Sequence, residues 1–363
     1  MNINLLLQEM LDQQASDIHL KAGSPPMWRI DGELVGFGDE KLSPEATSNI
    51  ANSLMEEKHK IKFEKTNEVD LAKEVGDYRV RANIARQRGT VAIALRVIPK
   101  KIHTFDELHL PEVLKEIALE RRGLILVTGT AGNGKSTTLA AMLNHVNENN
   151  AAHIVTVEDP IEFIYDDKKS CICQREVGVD TDSFASALKA VLRQDPDVIM
   201  VGEMRDQETI AAAISAAETG HLVMSSLHTI DAGQTVDRLI DSFPSEQQSQ
   251  MRSQLSSTLT AVVSLRLLKR TGGKGRVPAV EILRATPTVR SLIREQKTSQ
   301  LRATITAGAV QYKMQTFDQS LLNLYKEELI GMEDALAEAT SSTELKLGLD
   351  GLISSGASIK LKK

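Results

Sequence analysis

The sequence predicts an α/β chain with an α+β N-terminal segment, a core built on a parallel sheet, and a helical C-terminal region. Three observations carry this. Residues 1–98 mix short helical and alternating patterns. From Gly123 onward, near-continuous apolar strands ("GLILVTG", "HIVTVEDP", "PDVIMVGE", "HLVMSSLH") alternate with helical runs such as "SFASALKAVLRQ" and "ETIAAAISAAE". That alternation is the mark of a parallel sheet covered on both faces. After Thr286 the pattern is helical to the end. The expected boundaries are residues 1–98, a linker at 99–111, a core at 112–284 and a helical region at 285–363, with a frayed tail in "GLISSGASIKLKK".

Along the first domain, Leu5, Leu6, Leu7, Met10 and Leu11 sit at helical spacing. "SDIHL" reads as the start of a strand, and "PPMWRIDGEL" as strand, turn, strand around Asp31 and Gly32. Ser43 can cap a helix whose first position suits Pro44. "DYRVRANIARQRGTVAIALRVI" alternates like a hairpin turning near Arg88 and Gly89. The polar, proline-bounded "PKKIHTFDELHLP" marks the linker.

The 363 residues, 41% of them hydrophobic, suffice for two or more cores. With 43 basic against 49 acidic residues the net charge is −6. This argues against a protein that coats nucleic acid. The N-terminus lacks a signal peptide's basic flank and cleavage site, and no apolar run approaches the ~20 residues of a membrane helix, so a soluble intracellular chain is expected. Cys171 and Cys173 are too few for a disulfide framework or a four-ligand zinc site, and are expected as reduced thiols on a strand.

"GTAGNGKST", Gly129 to Thr137, fits G-x-x-x-x-G-K-[ST] between a strand and a helix. Its glycines let successive N–H groups turn toward phosphate oxygens, and the helix N-terminus adds unpaired donors. Ala131, Gly132, Asn133, Gly134, Lys135, Ser136 and Thr137 therefore form the expected phosphate cradle. Lys135 is placed to reach the β- and γ-phosphates and the Ser136 hydroxyl to ligate Mg²⁺. The loop reads as a nucleoside-triphosphate site, and the absence of an N-K-x-D segment weakens a GTPase reading.

Hydrolysis needs carboxylates to hold Mg²⁺ and aim water, and the C-terminal ends of strands beside the loop strand suit them. One candidate segment ends in Glu158, Asp159 and Glu162, and another in Glu203 with Arg205 and Asp206 just beyond. His221 and His228 flank a fourth strand. Seven residues apart, they point to opposite faces and stand roughly 23 Å apart at ~3.3 Å per residue, too far to share a metal. His228, at the C-terminal end, can meet phosphate or the water-aiming carboxylate, whereas His221 is expected to bond a neighbouring element or subunit.

Taken together, "GTAGNGKST", "IVTVEDPIEF", "DPDVIMVGEMRD" and "TGHLVMSSLHT" resemble, in order and spacing, the Walker A, Asp box, Walker B and His box of the secretion-superfamily hexameric ATPases. The resemblance runs from about Leu5 to Ala337. It implies a PAS-like α+β N-terminal domain, a RecA-like P-loop ATPase domain and a helical C-terminal extension. Within that superfamily the chain resembles the type IV pilus retraction ATPases. In "TPTVRSLIREQK", Arg290, Leu292, Ile293, Arg294 and Glu295 match the retraction signature A-I-R-N-L-I-R-E, while Thr288, Val289 and Ser291 depart from it. The same segment is an amphipathic helix with Val289, Leu292 and Ile293 on one face, as core packing would also require. Pilus assembly ATPases fit less well, since they carry a long extra N-terminal region and usually a four-cysteine zinc motif.

The resemblance implies roles for single residues. Glu203 would hold Mg²⁺, directly or through water, and Glu162 would act as general base or water-positioner with Glu158 and Asp159 in support. Arg81 and Arg96, among five arginines of the hairpin, would meet the γ-phosphate, and Glu33 the ribose or base. It also implies a homohexamer using ATP and Mg²⁺ at the cytoplasmic face of the inner membrane at the pilus base. The partners would be a pilus platform protein and a paralogous retraction ATPase, with no direct nucleic acid. Nucleotide turnover would rotate the domains about the linker. Three alternatives stand beside it: a partner-dependent accessory retraction ATPase, a secretion or DNA-uptake motor, and a small-molecule kinase.

Overall fold

The computed structural model describes residues 3–13, 15–30, 33–75, 78–98, 101–273 and 275–354. The chain divides into two compact units, residues 1–101 with 162–164, and residues 102–161 with 165–363. Of the stretch expected as a linker, residues 102–111 therefore cluster with the second unit, where Phe105 and Leu110 are buried. The expected Asp31–Gly32 turn and the tail beyond Ser354 lie outside the described residues.

The first unit holds α1 (Ile3–Asp12), β1 (Asp17–Lys21), β2 (Met27–Ile30), β3 (Glu33–Gly36), α2 (Pro44–Leu54), α3 (Glu57–Thr66), β4 (Glu68–Val75), β5 (Tyr78–Gln87) and β6 (Thr90–Ile98). The strands form an antiparallel sheet in the order β3-β2-β1-β6-β5-β4. Alternation does the work the sequence promised: along β5 and β6, Val80, Ala82, Ile84, Val91, Ile93 and Leu95 face a core that also takes Leu6, Leu7 and Met10 of α1. The hairpin turns at Arg88 (φ 49°) and Gly89 (φ 76°), two left-handed residues that match the strand twist. Ser43 caps α2 by accepting the Ala46 amide at 3.1 Å, a contact of about 1 kcal/mol.

In the second unit run α4 (Val113–Ala118), β7 (Gly123–Thr128), α5 (Lys135–Asn149), β8 (His153–Glu158), β9 (Cys171–Glu176), α6 (Phe184–Val191), β10 (Val198–Val201), α7 (Gln207–Glu218) and β11 (Leu222–Leu227). There follow α8 (Ala232–Asp241), α9 (Ser245–Thr258), β12 (Leu259–Lys269), β13 (Arg276–Arg284), α10 (Pro287–Arg294), a 3₁₀ turn (Thr298–Gln300), α11 (Leu301–Ala307), α12 (Ala309–Tyr312), α13 (Phe317–Lys326), α14 (Met332–Glu338) and α15 (Ser342–Ser354). The sheet order is β13-β12-β7-β11-β10-β8-β9, parallel except for the β12–β13 hairpin. β7, β10 and β11 are buried along their whole length.

This order corrects one expectation. The strands ending in acidic residues, β8 and β10, are not neighbours of the loop strand β7; β11 lies between β10 and β7. The connections that decide strand order are long-range, and a buried strand looks the same on either side of its neighbour. Cys171 and Cys173 are exposed thiols on the edge strand β9. Val289, Leu292 and Ile293 do pack in the main core. Arg290 caps the end of α9, donating from Nη1 to the Ser256 and Ser257 carbonyls at 2.5 and 2.6 Å and from Nε to Ala285 at 3.0 Å. A smaller core joins α13–α15 to the β12–β13 hairpin. No described helix is long and apolar enough to cross a membrane.

Candidate functional site

Strand β7 ends at Thr128, and the chain curls through residues 129–134 into α5. Gly129 adopts φ 146°, and a Cβ there would stand 2.7 Å from the Leu265 carbonyl oxygen, so the loop lies against β12 where no side chain fits. Asn133 fastens it, donating from Nδ2 to Thr130 Oγ1 at 2.9 Å and to the Leu265 carbonyl at 3.1 Å. Gly134 takes φ 84° at the N-cap of α5. Lys135 is buried, and its ammonium donates to the carbonyls of Gly129 at 2.9 Å and Thr130 at 3.1 Å. Ala131 and Gly132 are exposed on the loop, and Ser136 and Thr137 are half-buried in the first turn of α5. The first amides of a helix have no partner inside it and face outward as anion donors.

Because β11 stands between β7 and β10, its end bridges the two. His228 follows β11 directly, with Nδ1 3.4 Å from Lys135 Nζ and Nε2 3.2 Å from Glu203 Oε1. One tautomer satisfies both contacts: Nε2–H donates to the carboxylate, and the Nδ1 lone pair faces the ammonium. Glu203 Oε2 is 2.9 Å from Arg205 Nε. The turn carrying Glu203 is held from β11, where Ser225 Oγ donates to the Val201 carbonyl and Ser226 Oγ to the Gly202 carbonyl, each at 2.7 Å. Beside Glu203 and His228 opens a cleft of about 620 Å³, lined also by Arg205, Gln234, Arg238 and Asp241. The residues just beyond β10 divide their work, for Asp206 caps α7 by accepting the Thr209 amide at 2.8 Å.

The other candidates sit elsewhere. Glu158, at the end of β8, is buried and accepts Thr156 Oγ1 at 2.7 Å and Gln174 Nε2 at 3.1 Å, while Asp159 is exposed. Glu176 accepts the Ile161 amide at 3.3 Å, which steadies the segment leading to the exposed Glu162. Glu162 groups with the first unit, as do Glu33, Arg81 and Arg96. Glu33 is exposed on β3. Arg81 and Arg96 are exposed cross-strand partners on β5 and β6. Arg96 Nε is paired with Asp17 Oδ1 at 2.7 Å. Burial opposes ionisation of Asp17, yet hydrogen bonds from Arg96 and Ser16 outweigh it and hold the carboxyl below its usual range. His221 belongs to the opposite end of β11, its Nδ1 3.0 Å from the Ala216 carbonyl and 3.1 Å from Thr219 Oγ1.

Sequence reasoning missed Ser225, Ser226 and Glu281. Glu281 is 5% exposed on β13 and accepts the Ala232 amide at 2.9 Å. Burial pushes its carboxyl up to about 7; the Ala232 hydrogen bond and the Arg266 and Arg302 charges oppose this, and the Asp231 charge adds to it. The folded pKa thus lies above the ordinary 4.5. Between these values the folded chain holds a proton that the unfolded chain has lost, so stability falls as pH rises through that window and levels off above it. At ~1.4 kcal/mol per unit the loss is roughly 3 kcal/mol. Glu281→Gln is expected to remove it: urea unfolding should give similar stabilities near pH 4.5 and a variant more stable by that amount near pH 8. Parallel stability curves at both values would contradict this.

Comparison with known proteins gives the same account of the chain. The family model "Type II/IV secretion system protein" matches residues 1–346. The type IV pilus retractation ATPase PilT of Pseudomonas aeruginosa is 46% identical over 340 residues, 93% of this chain and 98% of that one. The type IV pilus ATPase PilU of the same organism is 41% identical over 350 residues, 96% of this chain and 91% of that one. A crystal structure of the pilus retraction motor PilT with bound ADP superposes with a TM-score of 0.89 at 47% identity, covering 96% of this chain and 99% of that one. The Legionella pneumophila ATPase DotB gives 0.78 at 27% identity, covering 96% and 95%. With a family model spanning both units and relatives this similar over nearly their whole length, the chain belongs to the type II/IV secretion system protein family.

Proposed function

We propose that the chain is an ATP-hydrolysing motor for type IV pilus retraction, a homohexamer acting on a pilus platform protein at the cytoplasmic face of the inner membrane. The observation that carries the nucleotide chemistry is the row Lys135–His228–Glu203 at the C-terminal edge of the parallel sheet. Support for retraction is the near full-length likeness to a retraction ATPase.

ATP phosphates replace the loop carbonyls as partners of Lys135, joined by the amides of residues 131–137. Mg²⁺ fits the donors present. Ser136 and Glu203 offer two hard oxygen ligands, and this ion takes the remainder from phosphate and water rather than from a protein cage. When bound it neutralises charge on the β- and γ-phosphates. His228 ties the position of Lys135 to that of Glu203, and Glu162 aims the attacking water. On family likeness, Arg81 and Arg96 meet the γ-phosphate, Arg96 after leaving Asp17, and Glu33 meets the ribose or base. Loss of the γ-phosphate shifts the angle between the two domains, and the ring converts that change into movement of the platform.

Deleting the gene tests this reading. The expected phenotype is more pili per cell with surface motility lost and restored by the intact gene. Retained motility with lost secretion or DNA uptake would assign the motor to another machine. An accessory, partner-dependent retraction ATPase would instead bind ATP without steady turnover, so steady Mg-ATP hydrolysis by the purified chain counts against that alternative.

A further inference from the structure

The buried carboxylate of Glu281 has no part in the chemistry above, yet it lies in line with the phosphate loop. Leu227 of β11, Thr128 of β7, Ser264 of β12 and Glu281 of β13 are successive partners across the sheet. Thr128 Oγ1 donates to Ser264 Oγ at 2.8 Å. This row runs at the level where β7 gives way to Gly129 and β11 to His228. From its end Glu281 reaches the first amide of α8, that of Ala232, at 2.9 Å.

Four residues, 228–231, join β11 to α8; His228 faces Lys135 and Glu203, while Thr229 and Asp231 bond the first turn of that helix. Asp231 accepts the Gln234 amide at 2.8 Å through its side chain and the Thr235 amide at 3.0 Å through its carbonyl. Thr235 Oγ1 donates to the Asp231 carbonyl at 2.6 Å and lies 2.7 Å from Thr229 Oγ1. The loop is therefore rigid with respect to α8, and its place on the sheet depends on where the start of α8 is fixed. Glu281 supplies that fixture. An apolar side chain would pack as well in such a strand but would leave the Ala232 amide buried and unpaired.

We infer that Glu281 is a positioning residue for ATP turnover: it anchors the start of α8 and so holds His228 between Lys135 and Glu203. The inference rests on the ATPase reading of the site. Its range extends outward, because Arg302 lines the same 280 Å³ cavity as Glu281 and pairs with Asp318 and Glu344 of the C-terminal helices.

Steady-state hydrolysis of Mg-ATP by the full chain tests it. Glu281→Leu removes the acceptor and is expected to lower kcat at least tenfold with KM for ATP within threefold, since the phosphate loop is untouched. Glu281→Gln keeps an acceptor and should restore most of the turnover. In a His228→Ala background, Glu281→Leu should cost no more, because both changes act through one imidazole. Amide exchange should quicken at residues 229–236 and not along β13. If the leucine variant does not fold, Glu281→Asp withdraws the carboxylate by one methylene and should give the same kcat loss. Wild-type turnover in Glu281→Leu, with His228→Ala crippled, overturns the inference alone. So does a glutamine variant as poor as the leucine one, or a double variant showing the product of the two losses. Wild-type turnover in His228→Ala overturns the reading of the site on which the inference stands.

Discussion

Lys135→Ala is expected to lower kcat/KM for ATP hydrolysis at least a thousandfold and to weaken nucleotide binding severely. Lys135 is 8% exposed, and its ammonium is held by two loop carbonyls at 2.9 and 3.1 Å. The side chain is thus already oriented before phosphate arrives, and little reorganisation opposes its transfer to the β- and γ-oxygens. Electrostatic stabilisation of that transferring group is the larger part of catalysis in this class of reaction. A thousandfold loss corresponds to about 4 kcal/mol of transition-state stabilisation. The substitution also strips a charge from the Gly129 and Thr130 carbonyls and from His228, so part of the effect comes through a loosened loop. Nucleotide titration and steady-state kinetics on the purified chain measure both effects. Turnover within tenfold of wild type would remove Lys135 from the site.

What the sequence made legible was local. The loop "GTAGNGKST" announces itself because its glycines, lysine and hydroxyls lie within nine residues and need one strand and one helix around them. Ser43–Pro44 and Arg88–Gly89 were readable for the same reason, each being a backbone rule applied to adjacent residues. The meeting of Lys135, His228 and Glu203 was not. It depends on β11 entering the sheet between β7 and β10, and nothing in an apolar strand names its neighbour. The hairpin β12–β13 was not legible because "LRLLKRTGGKGR" reads as readily as a basic stretch as it does as the end of a strand and its turn. Glu281 left a signal that went unused: one acidic residue inside the apolar run "VPAVEIL" is either a strand edge or a buried charge with a partner.

The second large effect is expected at Glu203. Glu203→Gln should reduce turnover roughly a hundredfold to a thousandfold while ATP affinity stays within a few-fold, and cells carrying it should display abundant pili that do not retract. The amide keeps the shape of the side chain and can still accept from His228 Nε2, 3.2 Å away, so the imidazole has no steric reason to move. What disappears is the negative charge, which Arg205 balances at 2.9 Å. A neutral group there is a poor partner for Mg²⁺ and leaves the positive charge of Arg205 uncompensated beside the phosphates, which favours retention of ATP over its conversion. Loss of charge with retained binding therefore separates Glu203 from Lys135, whose removal takes both. The same substitution at Glu162 is informative by contrast. That carboxylate is exposed and follows Ile161, whose amide Glu176 accepts. If Glu162 aims the water, Glu162→Gln matches the kinetic loss at Glu203 but leaves the response of nucleotide affinity to Mg²⁺ unchanged, whereas Glu203→Gln blunts it. Equal Mg²⁺ responses in the two variants would sink the division of labour between the carboxylates, and full turnover in Glu203→Gln would sink its role altogether.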